Sequence, residues 1–136
     1  SNDPDNHELM VHERAEKVAL VAKDLPSLSV DGNESGEILL VGLGGTYGHI
    51  LSAACELRNE GQDVSFAHFD FIDPLPSNTA EIFSRFKKII VCELNSGQFA
   101  AYLRNAVPGF EYLQCNKIQG QTFLVRDIVK SVKEKA

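Results

Sequence analysis

The chain has 136 residues, of which 43% are hydrophobic and 24% are charged. This length and composition are those of one globular domain, and they exclude a chain that is disordered throughout. Thirteen basic and nineteen acidic residues give a net charge of −6. That balance argues against nucleic-acid and membrane-surface partners, because both need positive patches. No apolar run is long enough to span a bilayer, so we predict no transmembrane helix.

The opening segment SNDPDNHELM has neither the basic region nor the apolar region of a signal peptide. The first residue is not methionine, and we expect the chain to be a piece of a longer protein. The three cysteines, Cys55, Cys92 and Cys115, lie far apart, which excludes the usual zinc-ribbon and ferredoxin spacings. We expect them to be reduced, buried thiols in a cytoplasmic protein.

A leading helix is predicted from about Asn6 to Lys23, because apolar residues recur there at steps of three and four and Pro26 ends the pattern. We predict that residues 1–26 form this helix and a linker, and that residues 27–136 form one α/β domain. Leu28 to Val30 is a candidate short strand at the start of that domain.

Strands and helices then alternate, which is typical of a parallel sheet with helices on both faces. The predicted strands are Ile38–Val41, Val64–Phe69, Lys88–Cys92 and Phe110–Cys115. The predicted helices run from about Tyr47 to Glu60, over a segment with Ile82, Phe83 and Phe86, from the end of the loop Glu93–Gln98 to about Asn105, and over a final segment with Val125, Ile128, Val129 and Val132. Asn78 and Glu81 have the spacing of a capping box.

The glycine-rich segment GLGGTYG lies between a predicted strand and a predicted helix. The start of a helix offers free N–H groups to an anion. However, Tyr47 stands where the dinucleotide-binding pattern needs its third glycine, and no lysine follows as in a P-loop. The segment GLGGTYG can therefore be interpreted as a tight turn without a ligand, as a turn that forms an interface, or as an anion site.

The segment ELNSGQ, from Glu93 to Gln98, also lies between a strand and a helix. Loops that follow neighbouring parallel strands meet at the carboxyl edge of the sheet, where open α/β sheets place ligands or partners. Glu93 could act as a general base, a hydrogen-bonding anchor or a helix cap, and we favour the last two roles.

Motifs of common catalytic or metal sites are absent from the sequence. No HExxH or GxSxG pattern occurs. The histidines have no metal-ligand spacing, and we interpret all of them as structural or solvated side chains: His7, His12, His49 and His68. We interpret Cys92 as a core thiol.

Four segments in this order resemble one known family: ILLVGLGGTYGHI, FIDPLP, FKKIIVCELNSGQFA and NKIQGQTF. They are similar to the C-terminal part of the α subunit of 2-oxoacid:ferredoxin oxidoreductases. The opening DPDNHELMVHERAEKV resembles the segment that leads into this part in 2-oxoglutarate-type α subunits. The resemblance implies a fold like the transketolase C-terminal domain. That fold is a three-layer α/β/α sandwich with a five-stranded, mostly parallel sheet and one antiparallel edge strand, which Leu28 to Val30 could supply.

The resemblance also implies the activity of the complete enzyme. Such an enzyme decarboxylates a 2-oxoacid on thiamine diphosphate and Mg, passes electrons through iron–sulfur clusters to ferredoxin, and forms an acyl-coenzyme A. This chain lacks the family's GDG motif and its cluster-binding cysteines. We therefore expect no catalytic residue, cofactor or metal site in it, and we expect the rest of the α subunit and the β subunit as partners.

Two functional hypotheses follow from these residues. In the first, the chain is a non-catalytic assembly domain. In the second, it is a small anion- or nucleotide-binding module that uses the start of the GLGGTYG helix. The candidate anion or interface loop comprises Gly44, Gly45, Thr46, Tyr47 and Gly48. The other candidate interface residues are Glu93, Asn95, Gly97, Gln98, Lys117, Gln119, Gly120 and Gln121. A third interpretation, an independent flavodoxin-like or NAD-binding protein, is disfavoured by the glycine spacing.

Overall fold

The computed structural model describes residues 26–94, 97–116 and 125–136, and five strands in these ranges form one sheet. The strands are β1 (Val30–Asp31), β2 (Gly36–Leu43), β3 (Val64–Phe69), β4 (Phe86–Glu93) and β5 (Tyr112–Asn116). Their order across the sheet is β1-β3-β2-β4-β5. β1 pairs antiparallel with β3, and the other three pairs are parallel. The predicted α/β fold with one antiparallel edge strand is therefore confirmed.

Four α-helices connect or follow the strands in the described residues. They are α1 (Tyr47–Asn59), α2 (Thr79–Phe83), α3 (Gln98–Ala106) and α4 (Val125–Lys135), and a short 3-10 turn (Gly44–Thr46) precedes α1. These bounds agree closely with the predicted helices, except that Phe86 opens β4 instead of lying in α2. The predicted leading helix lies outside the described residues.

The sheet is buried on both faces, which explains the unbroken apolar runs in the sequence. In β2, Leu39 and Val41 pack with α2 and α3 on one face, whereas Ile38 and Leu40 pack with α1 and α4 on the other. All four side chains are buried. Each such side chain contributes about 1.5–3 kcal/mol of burial free energy, so these two cores hold the three layers together.

The edge strand β1 is shorter and lies further along the chain than the predicted Leu28 to Val30. The reason is a side chain distant in sequence. The Leu28 N–H donates to Asn78 Oδ1 at 2.7 Å, and Asn78 Nδ2 donates to the Leu28 carbonyl oxygen at 3.0 Å. The backbone of Leu28 is thus bound to Asn78 instead of to a neighbouring strand.

The same contact makes the predicted capping box wrong. Asn78 occupies the N-cap position of α2 but makes no side-chain capping hydrogen bond. Its amide is engaged with Leu28, and Glu81 instead forms an ion pair with Arg85 at 2.8 Å, one helical turn away.

Two of the three cysteines are buried as predicted. Cys92 and Cys115 lie in the core between the sheet and helices α1 and α4, and all three thiols are free. The prediction is wrong for Cys55, which is exposed on α1. The inward positions of α1 are Ile50, Ala53, Ala54 and Leu57, and a residue one position after Ala54 points away from that stripe.

No helix among the described residues is long and apolar enough to cross a membrane.

Candidate assembly surface at the carboxyl edge of the sheet

The turn from β2 into α1 is shaped by a glycine that packs closely and a glycine that turns the chain. A Cβ on the buried Gly42 would collide with Ile50 Cδ1, so the absence of a side chain lets α1 lie close to β2. Gly44 has φ +68, in the left-handed region that favours glycine. The Thr46 hydroxyl donates to the Leu43 carbonyl oxygen at 3.3 Å and closes the 3-10 turn.

The outer side of this turn is bare backbone. Gly44, Gly45 and Gly48 are exposed, and a Cβ at any of them would meet no atom within 4 Å. Thr46 is buried, while Tyr47 is 49% exposed. Another molecule could therefore approach this backbone closely, with the Tyr47 ring standing beside it.

The Tyr47 ring rests on an aromatic group at the end of β3. Its centroid lies 5.0 Å from the His68 ring in an edge-to-face arrangement and 5.7 Å from the Phe66 ring. His68 Nε2 lies 3.5 Å from Asp70 Oδ1, and among the described residues His68 Nδ1 has no hydrogen-bond partner although it is buried. Burial lowers the pKa of His68 below its usual value, and the nearby Asp70 charge opposes this only partly.

A cavity of about 780 Å³ opens beside this aromatic group. It lies between residues 26–31 and the carboxyl ends of β2 and β3, and Tyr47, His68 and Phe71 contribute to its wall. The wall combines aromatic rings with the Asp70 carboxylate.

The loop after β4 is built around a buried carboxylate. Glu93 is only 5% exposed, and its two oxygens accept hydrogen bonds from the N–H groups of Phe99 and Ala100 at 2.9 and 3.0 Å. Both donors lie in the first turn of α3, where a negative charge is favourable. Glu93 therefore acts as the cap of α3, and its oxygens are not directed at an open site.

Gly97 gives the chain its entry into α3. It has φ +101, and a Cβ there would lie 2.6 Å from the end of the Gln114 side chain. Gly97 is buried and Gln98 is exposed. A contact of Glu93, Gly97 or Gln98 with another protein stays a prediction.

The two candidate loops follow neighbouring strands. β2 and β4 pair in parallel, with Val41 opposite Val91, so the turn at Gly44 and the loop at Glu93 leave the sheet at the same edge. The remaining predicted interface residues lie outside the described residues: Asn95, Lys117, Gln119, Gly120 and Gln121.

Three large apolar side chains are exposed in the described residues, and all three lie at this edge. They are Tyr47 at the start of α1, Phe71 two residues after β3 and Leu94 directly after β4, exposed by 49%, 55% and 40%. Their strands are adjacent in the order β3-β2-β4. We call these three side chains the apolar edge patch.

The segment that carries Phe71 is fixed to the body of the domain. The Tyr102 hydroxyl of α3 donates to the Ile72 carbonyl oxygen at 2.6 Å. Phe71 and Leu94 are not among the site residues predicted from the sequence. In the sequence, each is an apolar residue two positions beyond the end of a predicted strand, a pattern that buried loops share.

The fold places the chain in the class of transketolase-like α/β domains. A solved split-gene transketolase matches it with a TM-score of 0.57 over 72% of this chain and 37% of that chain. At 18% identity this likeness shows the fold alone. No family model matches the chain.

More similar proteins are α subunits of 2-oxoacid:ferredoxin oxidoreductases. The 2-oxoglutarate oxidoreductase subunit KorA of Mycobacterium tuberculosis is 35% identical over 98% of this chain, which covers 20% of that subunit. The α subunit of 2-oxoacid:ferredoxin oxidoreductase 1 of Aeropyrum pernix is 28% identical over 96% of this chain and 21% of its own length. The chain thus spans about a fifth of these relatives.

A solved structure gives the same result in three dimensions. The 2-oxoglutarate:ferredoxin oxidoreductase of Magnetococcus marinus, determined with 2-oxoglutarate, coenzyme A and succinyl-CoA bound, matches with a TM-score of 0.81 and 28% identity. The match covers 99% of this chain and 24% of that chain. The resemblance predicted from the sequence is confirmed: this chain is similar, along almost its whole length, to one part of such α subunits.

Proposed function

We propose that this chain is a non-catalytic assembly domain in the α subunit of a cytoplasmic 2-oxoglutarate (2-oxoacid):ferredoxin oxidoreductase. The complete enzyme would decarboxylate the 2-oxoacid, form an acyl-coenzyme A and reduce ferredoxin. The names of the relatives support this proposal, and the Magnetococcus marinus enzyme was solved with coenzyme A and succinyl-CoA bound.

We propose that the cofactors of the complete enzyme are held by residues outside this chain. An iron–sulfur cluster is usually held by four thiolates, whereas the chain has three cysteines. Among the described residues, no group of three or more His, Cys, Asp or Glu side chains could hold a metal ion. We therefore assign no step of the reaction to these residues.

The apolar edge patch is the observation that supports an assembly role. When several large apolar side chains are exposed on one surface of a protein, that surface is more often a contact with another protein than a surface that faces solvent. The patch lies beside bare glycine backbone at Gly44, Gly45 and Gly48, which allows close approach. Since the chain spans about a fifth of its relatives, we propose that the patch packs against the rest of the α subunit or the β subunit.

A carboxylate placed on the patch should test this role. We expect Phe71→Asp and Leu94→Asp, each made in the complete enzyme, to weaken association of the subunits. Truncation of a central apolar contact costs about 2 kcal/mol or more, which is about 30-fold in affinity, and a buried charge costs more. The measurement is the dissociation constant of the complex, together with ferredoxin reduction driven by 2-oxoglutarate.

The matched control is Gln62→Asp, which adds the same carboxylate at an exposed position before β3, at the opposite edge of the sheet. It should leave both readouts unchanged. The thermal stability of the isolated chain should be similar in all three variants, because the altered side chains are exposed. If Phe71→Asp and Leu94→Asp left both subunit association and ferredoxin reduction unaltered, the assembly role would be contradicted. Full activity of an enzyme from which this domain is deleted would contradict it as well.

The second candidate function is an anion- or nucleotide-binding module at the start of α1. The open space around Gly44, Gly45 and Gly48 favours it, since a phosphate could reach the backbone there. Thermal melts of the chain with NAD(H), thiamine diphosphate plus magnesium, coenzyme A and sulfate distinguish the two functions. A ligand at a hundred times its dissociation constant adds about 2.7 kcal/mol, so a clear rise in Tm would favour the binding module.

A further inference from the structure

Two buried cysteines face each other across neighbouring strands. Cys92 in β4 and Cys115 in β5 are partners in the parallel register of these strands. Both side chains lie on the same face of the sheet, in the core beneath α1 and α4. Neighbouring strands are about 4.8 Å apart, and disulfides join Cα atoms that are about 4.4–6.8 Å apart. The backbone therefore already holds the two residues at a distance that a disulfide can span.

The two thiols belong to a hydrogen-bonded group that stabilises a thiolate on one of them. The Cys92 thiol and the Ser131 hydroxyl of α4 lie beside Cys115 Sγ and favour a negative charge on that sulfur. Lys135 Nζ in turn donates to Ser131 Oγ at 2.8 Å. This arrangement places two donors and a positive charge around Cys115 and leaves Cys92 as the protonated partner.

The environment separates the pKa values of the two cysteines. The hydrogen bond from Cys92 is the largest influence on Cys115 and lowers its pKa, and the Ser131 hydroxyl and the Lys135 charge act in the same direction. Burial and the Asp127 charge oppose them. The pKa of Cys92 is raised, first by its hydrogen bond to Cys115 and then by burial. In a redox-active cysteine pair, one thiol usually attacks the oxidant and the other then attacks the oxidised sulfur to form the disulfide.

We propose that Cys92 and Cys115 are a reversible oxidation site that forms a disulfide between β4 and β5 when the protein meets hydrogen peroxide. The Cys115 thiolate attacks one peroxide oxygen, the O–O bond breaks, and the leaving oxygen takes up a proton to give water, so that Cys115 becomes a sulfenic acid. The Cys92 sulfur then attacks the Cys115 sulfur, and the hydroxide that leaves takes the Cys92 proton. Two thiols lose two electrons, and one hydrogen peroxide becomes two waters.

This proposal is independent of the assembly role, because it uses buried core side chains that do not belong to the apolar edge patch. The third cysteine supplies an internal reference. Cys55 is exposed and has no cysteine beside it in the described residues. An oxidant that acts by simple accessibility would modify Cys55 first, whereas the proposed site would oxidise the buried pair as well.

The direct test is mass spectrometry of the full chain carrying Cys55→Ser, which prevents disulfides through Cys55. After treatment with a few equivalents of hydrogen peroxide, we expect the chain to lose the mass of two hydrogens and to regain it with dithiothreitol. Trypsin cleaves after Lys88, Arg104 and Lys117, so the linked product is the pair of peptides 89–104 and 105–117. Sulfinic or sulfonic acid at Cys115 without linked peptides, or no reaction at either cysteine, would overturn the proposal.

Two further variants test the division of roles. With Cys92→Ala, no disulfide can form, and we expect a sulfenic acid at Cys115 that dimedone traps. Ser131→Ala removes a donor to the Cys115 sulfur and should slow peroxide oxidation at neutral pH, whereas the control Ser52→Ala, on an exposed position of α1, should not. Two results would refute Cys115 as the attacking thiolate. One is equal oxidation rates in the two serine variants. The other is dimedone labelling of Cys92 in Cys115→Ala that is as fast as labelling of Cys115 in Cys92→Ala.

Discussion

The carboxylate of Glu93 offers the sharpest test of how the carboxyl edge is held together. Its two oxygens accept from two consecutive N–H groups at the start of α3, and the side chain is 5% exposed. Glu93→Gln keeps the shape of the side chain. It removes the charge and replaces one acceptor oxygen with an NH₂ group that faces a backbone donor.

The size of the effect follows from those two hydrogen bonds. Hydrogen bonds to charged groups contribute about 1.5–3 kcal/mol each, and neutral ones about 0.5–1.5 kcal/mol. The variant retains one neutral bond and loses the other, so we expect it to be less stable by about 2.5–4.5 kcal/mol. For a chain of 136 residues, each kcal/mol corresponds to about 3–4 °C in Tm, which predicts a fall of about 8–18 °C.

Urea denaturation and thermal melting followed by circular dichroism measure this loss. Glu81→Gln is the matched control, because Glu81 lies in the first turn of the neighbouring helix α2 but is exposed and, in the described part of the chain, pairs with Arg85. An exposed pair of this kind is worth less than about 1 kcal/mol. If the two variants lost equal stability, the buried carboxylate would contribute no more than a surface charge, and our account of the loop would be wrong.

Three further outcomes are expected in the same assays. Gly42→Ala should cost about 1–3 kcal/mol, because the new Cβ collides with the buried Ile50. Gly97→Ala should cost about 1–3 kcal/mol, because φ is +101 there, and unchanged stability would contradict this. Since burial lowers the pKa of His68, the unfolded chain binds more protons below the usual histidine pKa of 6.5, so stability should fall as the pH drops through that value. Tm measured against pH should show a smaller acid loss in His68→Phe.

The fold was largely predictable because its strands are buried on both faces. The run Ile38 to Val41 has no polar residue, which a strand between two helical layers requires, and the structure extends it by two residues at each end. The segment Val64–Phe69 was predicted with the bounds that it has. Short connections between such runs leave few arrangements other than a parallel sheet.

The errors arise where a distant residue competes with a local pattern. Asn78 has the local spacing of a helix cap, but its amide binds Leu28, fifty residues away in sequence. Cys55 lies in an apolar helix, and only the packing direction of α1 decides that it faces outward. The periodicity of apolar residues indicates which side chains lie on the same face of a helix. Whether Asn78 caps α2 and whether Cys55 is buried depend instead on which distant parts of the chain pack beside them.

The position of the candidate site in the fold could be predicted from the sequence, but the apolar nature of its exposed side chains could not. The adjacency of β2 and β4 brings the turn at Gly44 and the loop at Glu93 to one edge, where open α/β sheets usually hold polar ligands. Here the carboxylate that would face such a ligand is used to cap α3, and the large side chains that face outward, Tyr47, Phe71 and Leu94, are apolar. The Glu93 carboxylate turned inward and the large apolar side chains turned outward support the proposed contact with another protein surface.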